Sequence, residues 1–219
     1  MKFVPLFVLI SFFLATEAFK VQRLVPGIVA FALLQGNVLK TNALEDIATV
    51  PLYTKKSNDL QAYSDIARGF KLLRPFGFNE FDGAGTGYAI KFASLFDVDE
   101  NVVIGSVPAT AGKTSILDYG DIAVLGDKLA SKRGGKLINS NVHKTDQIVF
   151  YTFEFENPLD ASLPRTGPKN NRPTKGIEIY QLCVSKGRLW SIQATSNDKL
   201  FPLHEQTFRN TVASFVPHL

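Results

Sequence analysis

Short stretches rich in apolar residues recur along the chain from Gly69 onward, and polar turns separate them. Their length and their β-branched and aromatic content favour β-strands. GFKLLRP, YAIKFASLF and NVVIGSV predict three strands, and the polar DVDEN predicts a turn between the last two. Two hairpins follow: KLINSNVHK with IVFYTFEFE through TDQ, and IEIYQLCV with RLWSIQATS through SKG. FGFNEFDGAGTG, rich in glycine and aromatic residues, predicts a turn region.

Two segments show helical spacing. In the first, which Asp121 begins and Gly134-Gly135 ends, apolar residues recur every three or four positions: Ile122, Leu125 and Leu129. The second, PLHEQTFRNTVASF, has Pro202 in its first turn. Its apolar positions are Leu203, Phe208, Val212 and Phe215. We expect each helix to pack an apolar face against the sheet.

The predicted strands carry apolar residues on both faces, as IEIYQLCV illustrates. A sheet with one solvated face would alternate more cleanly, so this pattern predicts a sheet that is covered on both sides. Strands joined by short turns are antiparallel. The expected fold class is therefore α+β, an α-β-α sandwich in which helices pack on a central antiparallel sheet.

The N-terminal region contains two short apolar runs, at about residues 3–15 and 24–34. Each is too short to cross a bilayer as a helix. Each follows positive charge and precedes a small-x-Ala site, which is the arrangement of a cleavable signal. We interpret residues 1–43 as a bipartite targeting leader, in which two signals in series imply two membranes crossed in series. The alternative is one signal and a buried helix, which Pro26, Gly27 and Gly36 oppose.

The rest of the chain divides into an arm and a domain. Residues 44–68 are polar and weakly periodic, which predicts a flexible N-terminal arm with one helical turn near Asp59–Ala67. Residues 69–219 are long enough for one domain with a sizeable core, and no segment after the leader is apolar enough to span a membrane. Cys183 is the only cysteine, which excludes an internal disulfide.

The charge balance of the chain does not indicate a protein that binds nucleic acid. The formal net charge is +4, but the leader supplies most of this excess. It holds one acidic residue, Glu17, against four basic ones: Lys2, Lys20, Arg23 and Lys40. A nearly balanced mature chain lacks the global positive charge that attracts a polyanion, although a local basic surface can still exist.

Two glycine motifs have the composition of nucleotide-binding loops without their context. GAGTG at 83–87 precedes a predicted strand, whereas a dinucleotide-binding loop follows a strand and opens a helix. AGKTS at 111–115 lies too far from the preceding Gly105 to form a P-loop. We therefore interpret both as ordinary turns.

The ionisable residues form no recognisable catalytic set. The three histidines are far apart in the sequence: His143, His204 and His218. His143, near Asp146, is expected at a solvated hairpin end or in a weak surface metal site. Cys183 lies in mid-strand, which predicts a buried thiol rather than a nucleophile. Glu154 and Glu156 share one strand face and are expected to be solvated, so we predict no catalytic and no metal-binding residues.

Two segments could bind a partner. The loop at 157–176 carries four cations against Asp160 alone: Arg165, Lys169, Arg172 and Lys175. Long loops in compact domains are often functional, and the alternative is a variable surface insertion. The arm supplies Lys55, Lys56 and Arg68. An arm that buries little apolar area alone can become ordered on a partner, and the alternative is a tail left after processing.

Several segments together resemble the PsbP family of photosystem II extrinsic proteins: GFKLLRPFGFNEF, ENVVIGSVPATAGKTSILDYGD, YTFEFE, VSKGRLWSIQATSNDKLF and ASFVP. The likeness covers about Asp59 to Pro217. It implies the PsbP/Mog1-like form of the α-β-α sandwich. It also implies a location in the plastid thylakoid lumen, peripheral to the membrane. With the leader, it implies an alga that has a red-lineage plastid.

The resemblance implies a docking protein rather than an enzyme. Such a subunit docks electrostatically on the photosystem II core and on other extrinsic subunits. It supports oxygen evolution by stabilising the manganese–calcium cluster and by retaining calcium and chloride, with no cofactor of its own. The arm and loop cations named above are then the expected partner-binding residues. A PsbP-like accessory or assembly and repair factor is the alternative, and a lumenal enzyme with an unrecognised site is a third hypothesis.

The chain departs from the family pattern at several positions. Phe78 and Phe201 stand where the family often has tryptophan, and Ile177 stands where plant members have a metal-associated histidine. Asp198 keeps the acid that follows the second hairpin. The PRTGPKNNRP insertion is longer than in the plant form. The missing histidine argues against a divalent-metal site of the plant kind.

Overall fold

The computed structural model of the protein describes residues 59–83, 88–159 and 172–217. In chain order, the strands are β1 (Leu60–Asp65), β2 (Phe70–Pro75), β3 (Asn79–Asp82), β4 (Ile90–Ala93), β5 (Asn101–Pro108), β6 (Lys136–Thr145), β7 (Ile148–Pro158), β8 (Lys175–Ser185), β9 (Arg188–Asn197) and β10 (Val216–Pro217). A 3₁₀-helix (Ile116–Tyr119) and α1 (Ile122–Arg133) lie between β5 and β6, and α2 (Phe201–Ala213) lies between β9 and β10.

The strands form two antiparallel sheets. The larger has seven strands in the order β3-β4-β5-β9-β8-β7-β6, and the smaller has the order β1-β2-β10. Both predicted hairpins are confirmed, since β6 pairs with β7 and β8 pairs with β9. Both tight turns use left-handed backbone. In the β6–β7 turn, φ is 48° at Asp146 and 68° at Gln147. In the β8–β9 turn, φ is 48° at Lys186 and 70° at Gly187.

Each face of the seven-stranded sheet carries an apolar core. On one face, α2 and the small sheet cover it through buried residues that include Phe70, Trp190, Phe208 and Phe215. On the other face, α1 and the 3₁₀-helix cover it through residues that include Leu125, Leu129, Phe153 and Phe155. Burying each such side chain contributes about 1.5–3 kcal/mol. The α-β-α sandwich and the sheet covered on both sides are therefore confirmed.

Helix α1 begins and ends as the sequence predicts. The Asp121 carboxylate accepts hydrogen bonds from the backbone N–H groups of Ala123 (2.8 Å) and Val124 (3.2 Å), which have no partner inside the helix. Gly134 ends the helix with φ of 64°, a left-handed conformation that costs glycine little. Helix α2 has Pro202 in its first turn, and Asn197 Oδ1 accepts from the N–H of Leu200 (3.0 Å) just before it.

The predictions for residues 59–82 need correction. The helical turn near Asp59–Ala67 is wrong, because Leu60–Asp65 is strand β1 and pairs antiparallel with β2. The predicted arm of 44–68 thus contains part of the folded domain. The pairing with β2 and the packing of the Tyr63 ring 5.0 Å from that of Phe92 are contacts that local periodicity does not reveal. The turn predicted for FGFNEFDGAGTG contains the short edge strand β3.

One prediction for helix α2 needs correction. We expect Leu203 on the apolar face of α2, but it is exposed because it lies on the outer side of the first turn.

Among the described residues, none of the helices combines the length and the apolar content that a bilayer crossing requires. The predicted leader at 1–43 lies outside the described residues.

Candidate docking edge

One end of the large sheet brings together the end of β4, the start of β5, the end of β9 and the start of β8, because these strands are antiparallel neighbours. Exposed apolar and cationic groups meet there. The β4–β5 turn carries Leu95 and Phe96, and Lys175 begins β8 with Arg172 shortly before it. We call these four residues the docking edge.

The apolar part of the docking edge is unusually open to solvent. The exposed fraction is 99% for Phe96 and 71% for Leu95. A protein loses about 1.5–3 kcal/mol of burial free energy for each large apolar side chain that it leaves in water. Two such side chains side by side, next to polar residues, are typical of a surface that a partner covers.

Local hydrogen bonds fix the turn that presents these side chains. Ser94 Oγ accepts from the backbone N–H of Phe96 (3.2 Å) and of Asp97 (3.3 Å). Asp97 Oδ1 accepts from the N–H of Asp99 (2.8 Å), and Asp97 Oδ2 accepts from Asn197 Nδ2 (3.3 Å). The turn is therefore ordered before any partner arrives, which lowers the entropy lost on binding.

A buried carboxyl group lies behind the turn. Glu100 is buried, and its Oε1 lies 3.5 Å from Ser196 Oγ and 3.6 Å from His204 Nε2 on α2. Burial raises the pKa of Glu100, and the charge of His204 opposes that shift. This contact ties the β4–β5 turn to the first turn of α2.

The cations of the docking edge come from the predicted binding loop. Lys175 Nζ lies 2.8 Å from Glu156 Oε1 across the β7–β8 pair, and this bond raises the pKa of Lys175. The Lys175 carbonyl accepts from the N–H of Asp198 (2.9 Å), which fixes β8 against the end of β9. Arg172 is exposed close by along the chain. The structure thus places Lys175 beside the turn that follows Asn197, and Arg172 precedes Lys175 by three residues in the chain.

Of the remaining predicted cations, Arg68 falls within the described residues, and it does not lie at this edge. Arg68 lies between β1 and β2, where it bonds to Asp65 (2.6 Å) and Asp82 (3.0 Å), toward the opposite end of the strands. The other four lie outside the described residues: Lys55, Lys56, Arg165 and Lys169. A docking role for these five stays a prediction.

A buried ion pair holds the strand that leads from the docking edge. Arg133, at the end of α1, lies 3.1 Å from Glu178 Oε1 on β8, and Asn157 Nδ2 donates to Glu178 Oε2 (2.7 Å). The guanidinium also lies over the rings of Phe155 (4.9 Å) and Tyr180 (4.6 Å). Burial raises the pKa of Glu178, and Arg133 opposes that shift. The pair joins α1 to the sheet near the start of β8.

Other ionisable residues differ in part from the predictions. The solvated hairpin end expected for His143 is wrong, because β6 carries the imidazole onto a sheet face, where it stacks 4.9 Å from the ring of Phe150. Cys183 is buried as predicted, and burial raises its pKa. Glu154 is only partly solvated, because Arg209 pairs with it at 2.9 Å.

Within the described ranges, no three His, Cys, Asp or Glu side chains form a group that could hold a metal ion. Ile177 illustrates the change from the plant pattern, because its side chain packs against the apolar core beside α2. An aliphatic side chain offers no lone pair to a cation.

Sequence reasoning missed the apolar half of the docking edge. It assigned Leu95 and Phe96 to the end of a strand, whereas β4 stops at Ala93. The missed signal is Ser94, whose hydroxyl can bond to backbone N–H groups two and three residues later and so end a strand. With the strand ended there, the apolar pair falls in a turn.

Comparisons with known proteins agree with this fold. The PsbP family model matches residues 58–216. CyanoP of Synechocystis sp. PCC 6803 is 31% identical over 165 residues, which cover 71% of this chain and 82% of that protein. CyanoP of Thermosynechococcus vestitus is 25% identical over 167 residues, which cover 73% of this chain and 86% of that protein.

A solved structure shares the architecture. The solution structure of cyanobacterial PsbP (CyanoP) from Synechocystis sp. PCC 6803 superposes with a TM-score of 0.57 at 21% identity, and the match covers 75% of this chain and 95% of that one. At this identity the likeness shows the fold alone. The match to the family model, which covers most of the chain and nearly all of the described sandwich, shows more: the chain belongs to the PsbP family.

Proposed function

We propose that the protein is a lumenal extrinsic subunit that docks on photosystem II and supports oxygen evolution. In this role it stabilises the manganese–calcium cluster and slows the exchange of calcium and chloride with the lumen. Its task is to bind and cover a surface, and no chemical step is assigned to its side chains. Membership of the PsbP family supports association with photosystem II.

The observation that carries the proposal is the docking edge. Leu95 and Phe96 offer two exposed apolar side chains on an ordered turn, and Lys175, which is paired with Glu156, begins β8 at the same end of the sheet. Apolar side chains give an interface most of its binding free energy, whereas exposed charges mainly set orientation and association rate. A partner that fits this edge has an apolar pocket for these two side chains.

A PsbP-like accessory or assembly factor is the second candidate. The similarity to CyanoP, together with Phe78, Ile177 and Phe201 in place of residues of the plant pattern, supports this second candidate. This candidate uses the same docking edge but binds its partner transiently. The two candidates differ in the complex on which the protein is found.

Salt release from isolated thylakoids separates these candidates. Exposed charges are screened at high salt, so about 1 M NaCl should release an electrostatically docked subunit. We expect the protein in oxygen-evolving photosystem II before the wash, and a loss of activity after it that calcium and chloride restore. Recovery only with incomplete assembly intermediates contradicts the first proposal and supports the second.

The leader carries the proposed location, a red-lineage plastid. Residues 1–43 fused to a fluorescent protein should direct it to the thylakoid lumen, whereas residues 1–19 alone should stop after the first membrane. Fluorescence that stays outside the plastid with the longer fusion contradicts this location.

A further inference from the structure

A cleft opens on the α2 face of the large sheet, where β6, β7 and β8 extend beyond the cover of the helix. Its volume is about 170 Å³. Residues of the three strands form one wall, and the C-terminal half of α2 forms the other. We call it the His143 cleft. A volume of about 150 Å³ is enough for a six-membered ring, so the cleft is much larger than one water molecule needs.

Polar side chains from three strands line up across this face because of the strand register. Asn141 on β6 lies opposite Thr152 on β7, and Thr152 lies opposite Gln181 on β8. Thr152 Oγ1 donates to Gln181 Oε1 (3.1 Å), and Gln181 Nε2 donates to the Val212 carbonyl on α2 (3.2 Å). Asn139 lies two residues before Asn141 on the same side of β6 and also lines the cleft. An otherwise apolar face thus carries a row of amide and hydroxyl groups.

His143 lines the cleft and is almost fully buried. Only 4% of the residue is exposed, and its Nδ1 is buried without a hydrogen-bond partner in the described part of the chain. Leaving a buried polar atom without a bond costs free energy, so such an atom calls for an explanation, such as a bound water or ion or a functional role. Burial lowers the pKa of His143 to about 4, so near neutral pH the ring is uncharged, with one nitrogen that donates and one that accepts.

The charged groups that line the cleft neutralise each other. Arg209 Nη2 lies 2.9 Å from Glu154 Oε2, and Arg209 Nε lies 2.8 Å from Glu205. A charged ligand would have to break this arrangement or enter without a counter-ion, which is costly away from water. The apolar part of the lining comes from Ile179, Val212 and Ala213.

We propose that the His143 cleft binds a small neutral molecule of the amide class, with a ring or short aliphatic body and a C=O beside an N–H. An amide offers one donor and one acceptor side by side, and the carboxamides of Asn139 and Asn141 offer the same pair in return. The ligand body packs on Ile179 and Val212, and its polar edge meets His143. This site is separate from the docking edge and adds to the proposed docking role.

The six-membered lactam 2-piperidone tests the proposal on the isotope-labelled protein by NMR titration. We expect a dissociation constant of about 1 mM, which lies well within the bound on binding free energy per ligand atom. Chemical shift changes should centre on His143, Asn139 and Asn141. Cyclohexanone, which keeps the ring and the C=O but has no N–H, should bind about fivefold or more weakly, as expected for one lost hydrogen bond.

His143→Phe is the matched variant, because a phenyl ring can keep the stack on Phe150 and offers no nitrogen. We expect it to weaken 2-piperidone binding about fivefold or more. Asn141→Ala, at an exposed position, gives the same test if the first variant does not fold. No shift changes at the cleft with 2-piperidone, equal binding of cyclohexanone, or unchanged affinity in the variants would each overturn the proposal.

Discussion

The two faces of the large sheet hide polar groups in opposite ways. On the α1 face, Arg133 and Glu178 are full charges paired at 3.1 Å, with Asn157 and two aromatic rings around them. On the α2 face, His143 is a neutral ring with an unbonded nitrogen at the wall of a cleft. The ion pair resists substitution, because the loss of either residue would leave the other charge buried without a counter-ion. The arrangement at His143 can accept a new bond. Arg133 Nη2 and Asn157 Oδ1 are also buried without a bond in the described part of the chain, but neither residue lines the cleft. The comparison therefore predicts that the ion pair holds the fold and that His143 is the group open to a ligand.

Breaking the charged pair should give the largest effect. In Arg133→Met, Glu178 stays buried without its cation, and we expect the free energy of unfolding to fall by about 3–5 kcal/mol. Urea denaturation at pH 7 measures it. The loss should shrink at lower pH, because burial raises the pKa of Glu178 and protonation removes the stranded charge.

Arg209→Met is the matched control, since Arg209 pairs with Glu154 and Glu205 in a partly exposed place. Exposed pairs contribute about 0–1 kcal/mol, so this variant should remain close to the wild type. If both variants lose the same stability, burial does not distinguish the two pairs and the contrast between the faces fails.

The neutral histidine should produce an effect that depends on pH. Its pKa falls from 6.5 to about 4 on folding, so the unfolded chain binds the extra proton between these values. Stability should therefore decline as the pH falls from 6.5 to about 4, by up to about 3 kcal/mol, and level off below that range.

His143→Phe isolates this contribution, because the difference from the wild type removes what the carboxyl groups add. Burial raises the pKa of Glu100 and Glu178, so those groups act in the opposite direction in this range. Parallel stability curves for the two proteins between pH 4 and pH 7 would show that His143 is not buried in neutral form.

The N-terminal caps of the two helices also differ between the faces, with a smaller expected effect on stability. Asp121 bonds directly to the first turn of α1, whereas α2 has no side-chain bond from its own N-cap residue, Leu200. Asp121→Ala should lower the free energy of unfolding by about 1 kcal/mol in urea denaturation. Asp121→Asn, which keeps the acceptor oxygen, should recover most of it. Equal losses in the two variants would show that the charge, and not the hydrogen bond, stabilises the helix.

Much of the fold could be predicted from the sequence because its signals are local. The hairpins through Asp146–Gln147 and Lys186–Gly187 and the limits of α1 at Asp121 and Gly134 all rest on residues next to one another in the chain. Strand β1 was not predicted from the sequence, because the packing of Tyr63 on Phe92 joins two residues that are distant in the chain.

The candidate site was predicted only in part. Arg172 and Lys175 were proposed from charge alone, and their docking role stays a prediction. Leu95 and Phe96 were missed, because local periodicity does not show where β4 ends. His143 was misplaced for a related reason. Its position beside polar residues predicts a solvated hairpin end. The sequence predicts the hairpin itself, but only its register, which sets His143 opposite Phe150, shows that the two rings stack.

The most direct test of the docking account is the affinity of the purified protein for salt-washed photosystem II membranes. Leu95→Ser with Phe96→Ser should raise the dissociation constant at least about thirtyfold, the effect of losing about 2 kcal/mol from a central apolar contact. Lys144→Glu with Lys186→Glu, exposed at the other end of the strands, should change it little at physiological salt. Unchanged affinity in the Leu95 and Phe96 variant, with binding lost in the Lys144 and Lys186 variant, would contradict the docking edge.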